Sequence, residues 1–380
     1  MEPLSAAHAR FCLSLFQKIS DGDSSQNVFF SPLSISAALS MLSLGAAGNT
    51  KDQMSQTLHF DGAESQIHAG FTKLLTEMNR AGAPHTLSLA SRLYGEQSCR
   101  FQETFLSDTR RLYGAELQPL DFISQPEASR GIINRWVEQQ THEKIRDLLA
   151  EGSVDSLSRL VLVNAVYFKS SWERKFLEEH THEQQFRTSR NESKPVQMMF
   201  QKGRFPLAFI PDVNCQILEL PYAGKELSML VLLPNAMEDD GTGLEKLERA
   251  LTLETLTDWT RSDMMDVLEV EVSLPRLRVE ERLELKPLLV ELGMPDAFDP
   301  QRADFSGVCA GGELLLSTVV HQSFLEVNEE GTEAAAATAA VMMTRCLMRA
   351  ERFCADHPFL MLIRHNPTGS LLFYGRVCNP

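Results

Sequence analysis

The sequence predicts an α+β fold. Helical periods dominate the early part of the chain. Two almost unbroken apolar runs, Arg159–Lys169 and Leu227–Leu233, read as buried strands, and a hairpin signal closes the C-terminus. Helices come first and strands later, without repeating βαβ units, which separates this pattern from a doubly wound fold.

The elements follow in chain order. Leu4, Ala7, Phe11, Cys12, Leu15, Phe16 and Ile19 recur at helical spacing, an opening amphipathic helix. Ser31-Pro32 starts a second apolar helix through Leu44, with Gly45 and Gly48 as stop signals. Ser34 and Ser36 near its start are either capping groups or buried polar residues. Residues 124–149 read as a further helix. The RLVLVNAVYFK run at Arg159–Lys169 suggests a strand buried on both faces. Asn164 interrupts it, and a buried amide there must find partners. Val267–Leu274 alternates, with Leu268, Val270, Val272 and Leu274 on one face. Phe359–Ile363, a HNPTGS turn and Leu371–Tyr374 form the closing hairpin.

The chain has 380 residues, 43% hydrophobic and 23% charged, with ample core material. No Pro/Gly/Ser-rich linker, low-complexity segment or repeat appears, so one interdependent domain over 1–380 is expected. A net charge of −15 with no basic run argues against a nucleic-acid partner. The start, MEPLSAAHARF, lacks the charged-then-apolar layout of a secretory signal. No window approaches ~18 uncharged apolar residues, so no membrane span is indicated. Cys12, Cys99, Cys215, Cys309, Cys346, Cys354 and Cys378 are scattered, odd in number and form no CxxC pair. Reduced thiols in a cytoplasmic protein are the expectation.

Enzyme signatures are missing. No GxSxG, GxxxxGK[ST] or GxGxxG occurs, and the glycines of DDGTGLEK follow acids rather than a strand. His182-Glu183 lacks the second histidine of HExxH, and His180 and His182 read as solvated. Cys346 has no strand-turn-helix context to activate it as a nucleophile. No enzymatic activity, cofactor or metal is expected.

One segment, GTEAAAATAAVMMTRC at residues 331–346, fits none of these elements. Propensity favours a helix over Glu333–Met343, yet alanine and threonine give it no wide apolar stripe.

Four stretches together resemble the serpin family, in its ovalbumin-like intracellular branch (clade B). NVFFSPLSISAALSMLSLGAAGNT at Asn27–Thr50 resembles the family's early helix, and LVLVNAVYFKSSW at Leu160–Trp172 its central strand. VHQSFLEVNEEGTEAAAAT at Val320–Thr338 resembles its hinge, and FCADHPFLMLIRHNPTGSLLFYGR at Phe353–Arg376 its closing strands. The matches are ordered and span essentially the whole chain. Within the branch, the Arg345-Cys346 pair is similar to the cytoplasmic antiproteinase subgroup, whereas the N-terminus and TGLEKLERALTLE are similar to the leukocyte elastase inhibitor subgroup, and the choice stays open.

The resemblance implies three β-sheets, about eight or nine helices and an exposed reactive loop at about 331–353. A protease cuts that loop, forms an acyl-enzyme, and is carried off as the cut loop enters the main sheet. It implies a hinge at Glu330, Gly331, Thr332, Glu333, Ala334, Ala335, Ala336, Ala337 and Thr338. In a strand, one face of that segment would carry Thr332, Ala334, Ala336 and Thr338, so entry opens little space and buries no ion. Gly331 supplies backbone freedom at the pivot. Family spacing places the scissile bond fourteen residues beyond Gly331, at Arg345-Cys346. A segment of that length spans roughly 45 Å as a strand.

Arg345 implies trypsin-like serine proteases as partners, with a carboxylate at the base of the specificity pocket. Met342-Met343 and Leu347-Met348 allow a second register for chymotrypsin-like enzymes, and Arg349 is a further basic candidate. Ser34, Asn164 and His321 match a polar cluster controlling sheet opening, and Trp172 a residue where the loop first enters. Ser170, Glu143 and Gln322 depart from the family pattern, putting local loop geometry and one surface charge in question. A monomer is expected, with loop-sheet polymerisation as a side reaction. The competing readings are a non-inhibitory chaperone or binding protein and a cross-class inhibitor of cysteine proteases.

Overall fold

The computed structural model describes residues 2–60, 62–237, 241–311, 314–332 and 350–380. Among them are nine α-helices and the α+β arrangement expected from the sequence. The opening helix spans Glu2–Ser20 and the second Pro32–Ser43. Ser31 caps the second by accepting from Ser34 N at 3.2 Å, so neither Ser34 nor Ser36 is the cap. Both are buried within the helix. Gly48 does more than end a helix: it opens the next, Gly48–Thr57.

The main sheet runs in the order Leu277–Glu284, Leu316–Val327, Leu160–Ser171, His85–Glu96, Leu117–Leu120. Its centre is the predicted apolar strand, buried along nearly all its length. Two separate cores explain the unbroken run. Leu160, Leu162, Val166 and Phe168 face the large core beneath the sheet. Val161, Val163, Ala165 and Tyr167 face a smaller one, with Ile133 and Val137 of the helix Pro126–Gln140 laid across the outside.

That outer helix is shorter than the sequence suggested. It stops at Gln140 because His142 and Glu143 take left-handed φ of 51° and 62°. Thr141 Oγ donates to Val137 O at 2.8 Å and accepts from Ile145 N at 3.2 Å, closing the chain into a turn. Ile145, Leu148 and Leu149 then reach the same core from irregular backbone. Their apolar spacing therefore mimicked a helix. Glu143 confirms that this departure from the family sits at a left-handed position, mildly strained for a side-chain-bearing residue.

The other strands form a second network in which Ser193–Ile210 serves two walls. Most of it pairs with His182–Arg187 and Asp266–Pro275, while Leu207–Ile210 pairs with Cys215–Pro221. Among the described residues the strands therefore form two hydrogen-bonded networks where the resemblance implied three sheets, because this long strand links two walls into one. The closing hairpin pairs Phe359–His365 with Ser370–Val377 as predicted.

The cysteine reading needs correction. Cys99 and Cys309 are joined in a disulfide, their Cα atoms 6.2 Å apart across 210 residues of sequence. Scattered spacing carries no information about such a long-range approach. Cys12, Cys215, Cys354 and Cys378 are free.

Candidate functional site

The central strand Leu160–Ser171 and its parallel neighbour Leu316–Val327 form a joint in the main sheet. They pair from Leu160↔Leu316 to Tyr167↔Phe324 and no further. Beyond that point, Gly331–Thr332 pairs antiparallel with the end of the central strand, Gly331↔Ser171 and Thr332↔Ser170. The hinge begins as a short strand at the mouth of a wedge.

A tight turn sets this up. Asn328 N donates to Gly331 O at 2.9 Å, and Gly331 N returns a bond to Asn328 O at 3.2 Å. Asn328 Oδ1 also accepts from Glu330 N at 3.1 Å. Gly331 has φ 138°, and a Cβ there would overlap the Ser170 carbonyl and lie 2.6 Å from Ser171 Cα. Only glycine fits, because close approach forbids a side chain as well as φ does.

Trp172 braces the turn from below. Its backbone N–H donates to Glu330 O at 2.9 Å and its indole N–H to Asn328 O at 3.0 Å. The ring stacks on Tyr222 with centroids 4.7 Å apart. The large aromatic is thereby fixed at the mouth of the wedge.

Sequence reasoning missed a second brace. The Glu329 side chain is 5% exposed and receives Arg276 Nε at 2.7 and 2.9 Å. Thr181 Oγ donates to the same carboxylate. Burial pushes the Glu329 acid upward, but the Arg276 and Thr181 bonds outweigh it and leave it below the usual range. Lys175 pairs with Glu330 next door. The only signal was two adjacent acids before Gly331; both sit in the Asn328–Gly331 turn, and each takes its own basic partner.

Lower in the joint, Ser34, Asn164 and His321 come together, all buried. His321 lies directly opposite Asn164 across the joint. Its Nε2 accepts from Ser31 N at 3.1 Å, so Nδ1 carries the proton and donates to Asn164 Oδ1 at 2.5 Å. Ser34 Oγ donates to that oxygen at 2.7 Å. The amide nitrogen donates to Ser34 O at 3.1 Å and to Ser91 Oγ at 2.5 Å. Burial lowers the His321 pKa to about 3, so the ring is neutral. Ser31 and Ser91 were not anticipated, since single serines leave no periodic trace.

Gln322 is not the surface position assumed from sequence. It is 6% exposed and donates to Glu280 Oε1 at 2.9 Å. Ser170 lies in the regular central strand. The expected hinge residues Glu333, Ala334, Ala335, Ala336, Ala337 and Thr338, and the bond Arg345-Cys346, lie outside the described residues. Among the described residues, no cluster of three His, Cys, Asp or Glu is arranged for a metal. Among the described residues, no helix is long and apolar enough to cross a membrane.

Comparison with known proteins points one way. A family model described as "Serpin (serine protease inhibitor)" matches residues 6–380. Leukocyte elastase inhibitor of Bos taurus is 50% identical over 380 residues, covering all of both chains. Serpin B6 of Macaca fascicularis is 51% identical over 382 residues, again with full coverage. The crystal structure of uncleaved ovalbumin superposes with a TM-score of 0.89 at 36% identity, covering 99% of this chain and all of that one.

Proposed function

This chain belongs to the serpin family of serine protease inhibitors, and from that premise we propose that it is a suicide substrate for trypsin-like proteases, cut between Arg345 and Cys346. The protease serine attacks the Arg345 carbonyl carbon, forming an ester. The peptide bond breaks, and the Cys346 nitrogen leaves as a protonated amine. The freed hinge then continues into the sheet from the pairing that Gly331 and Thr332 already make, by strand addition. That existing pairing at an open wedge is the observation carrying the proposal.

The bracing groups gain roles under this reading. Trp172, Glu329 and Arg276 hold the mouth of the wedge ready. Ser34, Asn164 and His321 keep the rest of the joint closed until insertion, because His321 and Asn164 must part for a strand to pass. None of the three leaves a charge behind, so opening exposes dipoles that water can satisfy. The proposed molecule is a single-domain cytoplasmic monomer.

A second reading has its own support. The bovine relative is named an elastase inhibitor, and Met342-Met343 offers an apolar residue for a chymotrypsin-like pocket. Incubation with trypsin and, separately, with chymotrypsin, followed by denaturing electrophoresis and mass spectrometry, tests both. A heat-stable covalent adduct with release of Cys346–Pro380 is the expected result. Release of a fragment beginning at Thr344 would move the bond to Met343, and cleavage without adduct would remove the inhibitory mechanism.

A further inference from the structure

The Cys99–Cys309 disulfide spans the joint that strand insertion must open. Cys99 follows the strand ending at Glu96, whose N–H donates to Arg159 O at 2.9 Å, while Gln97 N donates to Leu120 O at 2.8 Å. Cys99 therefore moves with the strands on the central-strand side. Cys309 leads into the strand starting at Leu316, on the other side. Its segment is anchored to the end of the second helix through Gly307 N to Gly45 O at 3.1 Å and Ala47 N to Asp304 O at 2.9 Å.

The existing register shows how far the joint must open. Gly331↔Ser171 and Thr332↔Ser170 run antiparallel. Continued one for one, they set Met342 opposite Leu160, the last residue paired across the joint and also the partner of Leu316 and Gly95. A loop inserted as far as Arg345 thus needs the joint open to its lower end, where the disulfide lies. An added strand separates its new neighbours by about 4.8 Å more than before. A cystine tolerates Cα separations up to about 7 Å, and this one is already at 6.2 Å. Two hydrogen bonds cross the same place, Gln102 N to Val308 O at 2.9 Å and Ala310 N to Arg100 O at 3.2 Å. Water can replace those, but nothing replaces slack in a covalent link.

We propose that Cys99–Cys309 is a redox staple: closed, it stops the lower joint from opening and turns the inhibitor into a substrate, and reduced, it permits full insertion. The proposal rests on the insertion reading above. Cys99 is half-buried between exposed Ser98 and Arg100, which gives an external thiolate a line of attack. That thiolate bonds to the Cys99 sulfur, and Cys309 leaves as a thiolate and takes a proton. A second thiol then attacks the mixed disulfide and frees Cys99. Two external thiols become one disulfide, and the protein gains two electrons and two protons. A small-molecule disulfide such as oxidised glutathione drives the reverse.

The test compares protein held in reduced glutathione with protein held in oxidised glutathione, each mixed with trypsin. Reduced protein should give the covalent adduct; oxidised protein should lose most of it and accumulate cleaved, unattached chain. Cys99→Ser and Cys309→Ser should keep the adduct in both buffers, which separates the staple from oxidation of Cys346. Three results overturn the staple: no Cys99–Cys309 cystine by mass spectrometry in the oxidised sample, equal trapping by both forms, or loss of adduct on oxidation in Cys99→Ser as well. If even reduced protein forms no adduct, the inhibitor reading fails instead. Heat stability after loop cleavage then judges the staple alone: cut reduced protein should melt above cut oxidised protein, and equal melting overturns the proposal.

Discussion

The two ends of the central joint solve opposite problems. At the upper end the strands have parted, and the gap is held by an ion pair, an indole and a glycine turn. These are groups that fix a shape without closing it. At the lower end the strands are paired and the polar groups are neutral, with Asn164 bonded across the joint to His321. An open end can use charge because Arg276, 42% exposed, keeps its hydration. A closed end that must later admit a strand cannot hold a charge without a large desolvation cost. The fold thus places its permanent electrostatics at the mouth and its breakable dipoles along the path.

The strongest way to break this comparison is at the mouth. Gly331→Val puts a branched side chain at φ 138° and against Ser170 and Ser171. The backbone term alone costs ~1–3 kcal/mol, and the overlap adds to it, so the turn should lose its pairing. Trypsin should then cleave the loop with almost no covalent adduct. Undiminished adduct would mean that the starting pair of residues is not needed for insertion. Thr332→Arg should produce the same conversion to substrate by a different route, a charge carried into the sheet.

Next in size is the closed end. Asn164→Ala removes the acceptor of Ser34 and His321 at once. Buried groups left without partners cost ~1–3 kcal/mol each, so a loss of about 2–6 kcal/mol in unfolding free energy is expected. The same variant should insert synthetic loop peptide more readily, because one cross-joint bond is gone. A stable variant with unchanged peptide uptake would detach the cluster from sheet opening.

Acid should act on the two ends in sequence. His321 has its folded pKa lowered to about 3, so its stabilising neutral form is fully present above about 6.5 and is lost as pH falls toward 3. Glu329 is lowered below the ordinary carboxylate value, so its contribution holds until pH drops beneath about 4.5. Between these values only the closed end weakens, by up to about 1.4 kcal/mol per pH unit. His321→Asn should flatten that part of the stability curve and leave the steeper loss below it. Buried His8, lowered to about 4, and His68, His85 and His365, also lowered by burial, should carry the slope that remains. A variant curve parallel to the parent's would contradict a neutral buried His321.

Legibility in the sequence followed the range of the interaction. The central strand, the two opening helices and the hairpin were readable because their signal is local and periodic. Gly331 was expected as a pivot only through the resemblance, and not as a position where a neighbouring backbone leaves no room. Ser34 and Asn164 stood out by position alone, but their grouping with His321, and the place of Trp172, came only through family resemblance. Their own types say nothing of an approach across a sequence separation of 157 between Asn164 and His321. Glu329 with Arg276 and Cys99 with Cys309 were missed for the same reason: no local pattern announces a partner 53 or 210 residues away. The overlong helix at 124–149 failed differently. Apolar residues of a loop happened to continue the helical period, and only Thr141 and three left-handed residues, His142, Glu143 and Asp147, broke it.

The smallest expected effect sharpens the comparison most. Ser91 accepts from the Asn164 amide, but it lies on His85–Glu96, the same side of the joint as Asn164 itself. It is half-buried and borders a cavity of about 460 Å³, so water can replace its hydroxyl. Ser91→Ala should therefore cost no more than about 1 kcal/mol and leave peptide uptake and trypsin trapping as they were. The bonds that matter for opening are those crossing to His321 and down to the second helix. If Ser91→Ala instead matched Asn164→Ala in both stability and uptake, the closed end would owe its hold to packing within one half of the sheet. The contrast between a fixed mouth and a breakable path would then have no basis in these residues.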